Sequence, residues 1–295
     1  MILVNDSICV SSRGETETIA PYRLGKNVLA AFCRILFQKL GFLSRPFINP
    51  KLRDLKGEPI LVFDHVATPF LLRAIAKRNP GSRLIFWYWQ PVQDSLDPKR
   101  IPERYERWTY SQSDAKRYGF QWNSQFIGNE EALEKEAAKH PSPMYDFCFV
   151  GKSKKRDDEL LGLAEQLSKL GYSTNIRINP KHSRNLLGKR KKNGRVPYPE
   201  YLSMQHSAKC IIDICNYPDA GLSLRPLEAS FLGRCLLTNC LEIKQSPLCQ
   251  EKNVCVLDEP LTKERLDALL SYEPKALTNE IREYYSAASW IRRFG

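Results

Sequence analysis

Apolar runs of strand length alternate along this chain with amphipathic stretches of helix length. Residues 59–64 form a short apolar run, residues 68–78 form a helix ended by Asn-Pro-Gly, and residues 83–89 form a second apolar run. Continuous apolar runs are typical of parallel strands that are covered on both faces. A strand, a helix and a strand within ~30 residues make a βαβ unit. A strand at 108–111 and a helix led by Ser113 follow, so we predict a doubly wound α/β fold.

A proline pair divides the sequence into two halves of this kind. A charged helix at 130–139 is followed by His-Pro-Ser-Pro, and two prolines in three residues suit a linker. Residues 278–294 carry apolar side chains at helical spacing and predict a final helix. The predicted division is 1–142, 143–277 and 278–295. In the second part we predict strands at 145–150, 173–178, 209–214, 235–238 and 253–257, and helices at 157–170, 199–208 and 262–270.

The charge of the chain points to an anionic partner. At 295 residues the chain is long enough for two domains, and with 42% hydrophobic residues it is not a disordered chain. Its formal net charge is +12. Such a surplus attracts nucleic acid, a nucleotide-sugar, a phosphorylated glycan or an acidic lipid surface, although it also serves solubility alone.

Cysteine usage and hydropathy predict a cytoplasmic location. The nine cysteines are irregularly spaced, form no Cys-x-x-Cys pair and follow no secretory signal, so we expect reduced thiols. No window approaches the ~18 apolar residues of a membrane span. The helical stretch 22–40 has basic flanks and fits either a helix packed on a sheet or one that lies against anionic lipid. We therefore expect a cytoplasmic protein that is either free in the cytosol or rests on the inner face of the membrane without crossing it.

The segment 219–238 combines three features that together suit a phosphate. It contains a loop with Gly221 and Ser223, a helix that begins near Arg225 and Pro226, and a short apolar strand at 235–238. Proline is favoured in the first helical turn, where its missing N–H costs nothing. Free backbone donors and a cation at a helix start favour phosphate binding. Glu228 follows Arg225 by about one turn and can accept hydrogen bonds from sugar hydroxyls.

This segment resembles the donor-binding signature of GT-B glycosyltransferases, especially bacterial enzymes of lipopolysaccharide and capsule biosynthesis. In that group a loop-Arg-x-x-Glu-Ala-x-x-x-Gly pattern precedes an apolar strand that ends in Thr. The resemblance extends to residues 145–152, 196–202 and 285–295. It implies two Rossmann-like domains that face a central cleft, with the acceptor on the first domain and the donor on the second. It also implies that the last helix crosses back to the first domain.

The resemblance implies a set of donor-binding residues. Glycine at the end of strand 145–150 lets the backbone approach a phosphate, and the cations beside it offset charge on the leaving group. A solvated basic loop is the structural alternative for these cations, and helix-dipole stabilisation is the alternative for the glutamate. We expect neither a metal nor a cofactor. The phosphate-binding candidates are Gly151, Lys152, Arg156, Gly221, Ser223 and Arg225, and Glu228 is expected to bind the ribose hydroxyls.

The catalytic residues are less constrained. Retaining GT-B enzymes often carry two glutamates separated by seven residues, but Ala220 occupies the first of these positions here and the nearest carboxylate is Asp219. Retention and inversion of configuration therefore both stay open. An inverting enzyme needs a general base. His65 and Asp64, at the end of an N-terminal strand, are the candidates, although a histidine there also fits a purely structural hydrogen bond. Asp94 is a weaker candidate.

We therefore predict a glycosyltransferase that transfers a sugar from a nucleotide-sugar to a growing bacterial surface glycan. Its expected partners are the donor and a glycan or lipid-linked glycan acceptor, with peripheral contact to an anionic membrane and without nucleic acid. The rival interpretation is a non-catalytic protein that binds an anionic polymer, supported by the net charge and the basic run 189–192. An epimerase or a phosphorylase on the same fold is a second rival. Zinc-site spacing, a Walker loop and a G-x-G-x-x-G motif are all missing from the sequence.

Overall fold

The computed structural model describes residues 1–6, 16–23, 41–153, 155–179 and 196–295. These residues divide into two compact units. The first unit contains residues 1–128 and 287–295, and the second contains residues 129–286. None of the helices in the described ranges is long and apolar enough to cross a bilayer.

The first unit is built on a six-stranded parallel sheet with the order β2-β1-β3-β4-β5-β6. The strands β1 and β2, which lie in the weakly patterned first twenty residues, were missed by the sequence analysis because each is only three residues long. The strands are β1 Ile2–Val4, β2 Glu17–Ile19, β3 Ile60–Phe63, β4 Leu84–Tyr88, β5 Tyr105–Thr109 and β6 Gln121–Trp122. The α-helices between them are α1 Pro69–Arg78 and α2 Gln112–Tyr118, and 3-10 turns lie at Gly41–Phe47, Pro50–Leu52, Asp64–Val66, Val92–Asp94 and Pro98–Arg100.

Local sequence explains where these helices begin and end. The hydroxyl of Thr68 accepts the backbone N–H of Leu71, and Pro69 opens α1. Ser111 caps α2 in the same way, so this helix begins before the predicted Ser113. It ends at Gly119, whose φ of 68° is the left-handed conformation that glycine adopts without strain.

The second unit is built on a five-stranded parallel sheet with the order β8-β7-β9-β10-β11. Its strands and helices confirm the predicted ones to within one or two residues. The strands are β7 Tyr145–Lys152, β8 Thr174–Asn179, β9 Ala208–Asp213, β10 Cys235–Thr238 and β11 Val254–Val256. The helices are α3 Glu130–Ala137, α4 Asp157–Lys169, α5 Tyr198–His206, α6 Leu224–Phe231, α7 Lys263–Leu270 and α8 Asn279–Tyr284, with a 3-10 turn at Leu241–Gln245.

The boundary between the units differs from the predicted division at 142. The helix α3 belongs to the second unit, where Leu133 is fully buried. The carboxylate of Glu136 lies 3.5 Å from the ring Nδ1 of His206 on α5. The Pro-Ser-Pro stretch is therefore a connection inside the second unit, because the buried face of α3 anchors the chain that precedes it.

The predicted final helix is two short helices rather than one. The first of them, α8, ends at Tyr284 in the second unit, and the second is α9, Ala287–Arg292, in the first unit. Trp290 of α9 is fully buried and stacks on Phe126 with ring centroids 3.9 Å apart. The amide of Asn123 donates to the Trp290 carbonyl at 3.1 Å. The expected return of the C terminus to the first domain is thus confirmed, together with the α/β class and the two parallel-sheet units.

Two predictions fall outside the described residues. One is the amphipathic helix at 22–40, whose residues 24–40 the structure does not describe. The other is the polar loop 179–195 with its basic run 189–192, since description stops at residue 179 and resumes at 196.

Candidate functional site

Both sheets have a topological switch point where a ligand is expected. In each strand order, the first strand in the chain has the second strand on one side and the third on the other. In open parallel sheets of this kind, ligands bind outside the carboxyl ends of the strands at that position. The switch point lies between β1 and β3 in the first unit and between β7 and β9 in the second.

Arg225 spans the switch point of the second unit. Its Nη1 donates to Oδ1 of Asp213, the last residue of β9, at 3.1 Å. Its Nη2 donates to the carbonyl of Val150 on β7, also at 3.1 Å. The guanidinium therefore joins the carboxyl ends of the two strands where a ligand is expected. Asp213, which is 0% exposed, was not singled out from the sequence, although its position at the end of an apolar run was a usable signal.

The start of α6 holds this arrangement in place. The hydroxyl of Ser223 accepts the backbone N–H of Arg225 at 3.2 Å and donates to the Asp213 carboxylate at 3.1 Å. Ser223 is thus the N-cap of a helix that begins at Leu224, which confirms the predicted start to within one residue. Gly221 has a φ of 95°, a conformation that favours glycine, and its carbonyl accepts the thiol of Cys240.

The backbone at Gly151 leaves room for Arg225. A Cβ atom built on Gly151 would collide with Nη2 of Arg225 and would lie 3.0 Å from Cζ of Phe149. Gly151 therefore lets a guanidinium pass close to the end of β7. The sequence analysis assigned it to the approach of a phosphate, and the structure shows that an arginine side chain uses this space.

A second arginine lies against the same aromatic ring. The Cζ atoms of Arg225 and Arg156 lie 4.7 Å and 5.0 Å from the centroid of Phe149. Arg156 is 7% exposed, and it donates to the carbonyls of Ile214 and Lys152. Burial, followed by the charge of Arg225, lowers the pKa of Arg156. In the part of the chain that the structure describes, the buried Nε of each arginine has no acceptor.

The charges in this cluster do not balance. Arg225, whose side chain is 14% exposed, pairs with the buried Asp213 carboxylate, whereas the buried Arg156 has only carbonyl acceptors among the described residues. The next carboxyl along α6, Glu228, is only 2% exposed. Burial raises the pKa of Glu228, which reduces its share of negative charge. A buried surplus of positive charge is costly unless an anion compensates it. The geometry can therefore bind an anionic group such as a phosphate.

Glu228 is held by the side chains of α5. Its Oε1 accepts the hydroxyl of Tyr198 at 3.0 Å. Its Oε2 accepts the hydroxyl of Tyr201 at 2.6 Å and the amide of Gln205 at 3.3 Å. Burial, followed by the charge of Glu228, raises the pKa of both tyrosines. Sequence analysis missed these tyrosines as partners because they lie thirty and twenty-seven residues before the glutamate.

The candidate Lys152 and two polar residues at the end of β10 lie along the same edge of the sheet. Lys152 is the last residue of β7 and is exposed, whereas Lys154 is not described. Asn239, which follows β10, donates to the carbonyl of Cys215 and accepts its N–H at 2.9 and 2.8 Å. Thr238 is buried, and its hydroxyl accepts the N–H of Cys240. Thr238 and Asn239 thus form a turn beside the end of β9.

The switch point of the first unit brings His65 next to Asn5. Asn5 follows β1 and His65 follows β3, and Oδ1 of Asn5 lies 3.2 Å from Nε2 of His65. Oδ2 of Asp64 accepts the N–H of Gln90 and the hydroxyl of Ser95, both at 3.0 Å. Its Oδ1 lies 3.7 Å from Nδ1 of His65 and accepts no hydrogen bond from any described residue. The sequence analysis did not identify Asn5 or Ser95.

An open pocket of about 370 Å³ lies at this position. Its lining includes acidic, basic and apolar side chains, and its volume is within the usual range for small-molecule sites. It also includes the weaker candidate Asp94. The lining residues are Asp64, His65, Ala67, Thr68, Pro69, Gln90, Asp94, Ser95, Leu96 and Arg100.

Aromatic side chains of the first unit mainly fill its core. Trp87 and Tyr88 are fully buried, and Trp108 and Tyr110 are nearly so. Trp122 on β6 is 40% exposed, and its indole N–H donates to the Tyr110 carbonyl at 2.9 Å. Its ring offers a surface for a sugar face.

The thiols and the metal-ligating side chains show no further site. The seven cysteines within the described ranges are free, and three of them lie buried in β7, β9 and β10. Within the same ranges, no three His, Cys, Asp or Glu side chains come together as a group that could hold a metal ion.

No family model matches this chain. No curated protein matches it either. Similar solved structures include a chain of the Glycosylation Associate Protein (Gap123) complex from Streptococcus agalactiae, with 12% identity and a TM-score of 0.38 over 80% of this chain and 52% of that chain. This chain therefore spans about half the length of the Gap123 chain.

Two further similar structures are transferases. WaaG, a glycosyltransferase involved in lipopolysaccharide biosynthesis, has 13% identity and a TM-score of 0.38 over 96% of this chain and 84% of its own. The spinosyn forosaminyltransferase SpnP has 15% identity and a TM-score of 0.31 over 95% of this chain and 68% of its own. With so few identical residues, the function proposed for this chain depends on its own side chains.

Proposed function

We propose that this chain is a glycosyltransferase that moves a sugar from a nucleotide-sugar donor to a growing bacterial surface glycan. The observation that carries the proposal is the surplus of buried positive charge at the β7/β9 switch point. Arg225 pairs there with the fully buried Asp213 carboxylate, and the buried Arg156 has only carbonyl acceptors among the described residues. The buried Nε of each arginine has no acceptor among the same residues. The nucleotide phosphates of an activated sugar supply the missing negative charge.

The chemistry of transfer uses these charges at the leaving group. When the glycosidic bond to the phosphate breaks, negative charge develops on the departing phosphate oxygen. The N–H groups of Arg225 and Arg156 and the ammonium of Lys152 stabilise that charge, and Gly221 and Ser223 supply the loop beside them. Gly151 leaves the space that the guanidinium occupies. In this proposal Glu228 binds the ribose, and no metal is required.

The pocket of the first unit is proposed as the acceptor site. His65, whose side chain is 21% exposed, takes the proton of the acceptor hydroxyl. Asp64 lies beside it with an almost fully buried side chain. The hydroxyl and amide groups of the pocket suit a sugar, and the surface-glycan acceptor itself rests on the resemblance of residues 219–238 to lipopolysaccharide and capsule enzymes.

Titration calorimetry with UDP, GDP, ADP and CDP tests the donor site. We expect the parent protein to bind one of them, and Lys152→Ala to weaken binding roughly tenfold, since a hydrogen bond between charged groups is lost. Lys169→Ala is the matched control, because this exposed lysine at the end of α4 pairs only with Glu165 among the described residues. Absence of binding by all four nucleotides contradicts the proposal.

Product analysis separates the proposed reaction from its rivals. The protein is incubated with sugar conjugates of the nucleotide that binds and with a bacterial surface oligosaccharide as acceptor. A lengthened oligosaccharide and free nucleotide support transfer. A free sugar phosphate or an altered nucleotide-sugar supports a phosphorylase or an epimerase. Salt-dependent binding of oligonucleotides without any nucleotide binding supports the anionic-polymer alternative.

A further inference from the structure

The helix α5 presents one face to the Glu228 carboxylate. Tyr198, Tyr201 and Gln205 are spaced three and four residues apart, so they lie along one stripe of the helix. All three donate a hydrogen bond to Glu228, with distances between 2.6 and 3.3 Å. Glu228 is only 2% exposed and these donors surround its carboxylate, so a ligand hydroxyl reaches the carboxylate only if one of these side chains moves.

The two carboxylate oxygens are held unequally. Oε2 has two donors, Tyr201 and Gln205, and the shorter of these bonds is 2.6 Å. Oε1 has a single donor among the described residues, the Tyr198 hydroxyl at 3.0 Å. Oε1 is thus the oxygen at which an exchange of donors costs least.

Tyr198 is also the easier residue to move. It is the first residue of α5, and the preceding cap residue is Pro197, which makes no side-chain capping hydrogen bond. The first turn of a helix carries unsatisfied donors and frays more readily than its interior. Tyr201 lies one turn further in, so it keeps Glu228 attached to α5 when Tyr198 moves.

We infer that the Tyr198 hydroxyl occupies on Glu228 the place of a ribose hydroxyl, and that a ribonucleotide displaces it. This inference rests on the proposed function, in which Glu228 binds the ribose of the donor. Binding replaces one O–H···Oε1 hydrogen bond with another, so the parent protein gains little from the ribose hydroxyl. Glu228 follows Arg225 on α6 by about one helical turn. A single nucleotide can therefore reach Glu228 with its ribose and the cationic cluster with its phosphates.

Paired tyrosine variants test the exchange. The probe is whichever of UDP, GDP, ADP and CDP the parent binds, together with its 2′-deoxy and 3′-deoxy counterparts. We expect Tyr198→Phe to bind the ribonucleotide roughly fivefold more tightly than the parent, because no tyrosine hydrogen bond is then lost. At least one deoxy counterpart is expected to bind Tyr198→Phe no more tightly than it binds the parent. The ratio of the affinity for the ribonucleotide to that for this deoxynucleotide, the ribose preference, therefore increases. Tyr201→Phe is the matched control and is expected not to increase the ribose preference.

A measurement on the parent protein makes the test independent of how well the variants fold. Amide hydrogen exchange is followed at Tyr201, whose N–H donates to the carbonyl of Pro197 at 2.9 Å across the first turn of α5, with and without the ribonucleotide. Faster exchange in the bound state supports displacement of the first turn of α5, and slower or unchanged exchange overturns it.

The outcomes distinguish the two levels of the proposal. Nucleotide binding with an unchanged ribose preference in Tyr198→Phe overturns the exchange and leaves the proposed function standing. Absence of binding by all four nucleotides, in the parent and in Tyr198→Phe alike, overturns the proposed function and the exchange together.

Discussion

At the β7/β9 switch point, the carboxylate of Asp213 is fully buried and accepts hydrogen bonds from Arg225 and Ser223. At the β1/β3 switch point, the carboxylate of Asp64 is also nearly buried, but its donors are the neutral N–H of Gln90 and the hydroxyl of Ser95. The first arrangement is a charged cluster with two arginines. The second lies beside an open pocket of about 370 Å³.

The same sheet topology therefore holds a buried carboxylate in two different ways. A buried ion pair is expensive to break, so it fixes the ends of β7 and β9 in one geometry and keeps positive charge in place for an anion. The carboxylate of Asp64 is held by neutral donors and fixes the segments of Gln90 and Ser95 without an arginine partner. The imidazole of His65 beside it stays partly exposed, as its proposed role as general base requires.

Removal of the buried charge at each switch point is expected to have the largest effect. We expect Asp213→Asn to lower the free energy of unfolding by about 3–5 kcal/mol, since it leaves the Arg225 guanidinium without its carboxylate partner. We expect Asp64→Asn to cost about 1–2 kcal/mol, because only neutral hydrogen bonds change. Urea unfolding of both variants measures the two losses. Equal losses would show that charge does not distinguish the two switch points.

The close approach of Arg225 to β7 predicts the next largest effect. Gly151→Ala is expected to destabilise by about 1–3 kcal/mol and to weaken nucleotide binding, because the new methyl group displaces the guanidinium. Gly162→Ala in α4 is the matched control, since a Cβ there meets no atom within 4 Å. We expect it to stabilise the protein by about 1 kcal/mol through helix propensity. If both substitutions stabilise the protein, the space at Gly151 is not required for Arg225.

The same substitution at the two serines compares the switch points directly. Ser223→Ala removes a helix cap and a hydrogen bond to Asp213, and we expect a loss of about 1–2 kcal/mol. Ser95→Ala removes one hydrogen bond to Asp64, which still accepts from Gln90, and we expect about 1 kcal/mol or less. Thermal unfolding ranks the two. A larger loss for Ser95→Ala would reverse the comparison.

The smallest effect is expected in the pH dependence of stability. Burial raises the pKa of Glu228 in the folded protein, so the folded chain holds this proton more tightly than the unfolded chain does. The resulting stabilisation is complete below the ordinary pKa of glutamate and is lost as the pH rises through the raised value. Glu228→Gln lacks this dependence. The unfolding free energy of the parent minus that of the variant is therefore expected to fall with rising pH, and a constant difference would contradict the prediction.

Much of the second unit was predictable from local sequence. Ser223 and the residues after it combine a cap, a helix and an apolar strand within a short stretch, and each of these is decided by neighbours in the chain. The partners of that stretch were not predictable. Tyr198 and Asp213 reach Glu228 and Arg225 only because parallel strands bring distant segments to one edge of the sheet.

The first unit shows the same limit at its edges. The strand β1 is too short to show a period, although it lies at the switch point. The boundary was placed at a proline pair, but the buried face of α3 extends the second unit back to residue 129. The sequence pattern places Trp290 in a helix, but only its packing against Phe126 shows to which unit it belongs.

The sequence by itself determined the alternation of strands and helices, the parallel α/β class and the positions of the charged side chains along the chain, because periodicity and capping depend on residues a few positions apart. The tertiary structure alone decided which charges meet and how each is satisfied. Arg225 became a bridge between two strands, and Glu228 became the acceptor of two tyrosine hydroxyls, because burial removes water as a partner and each polar group must then find one in the protein.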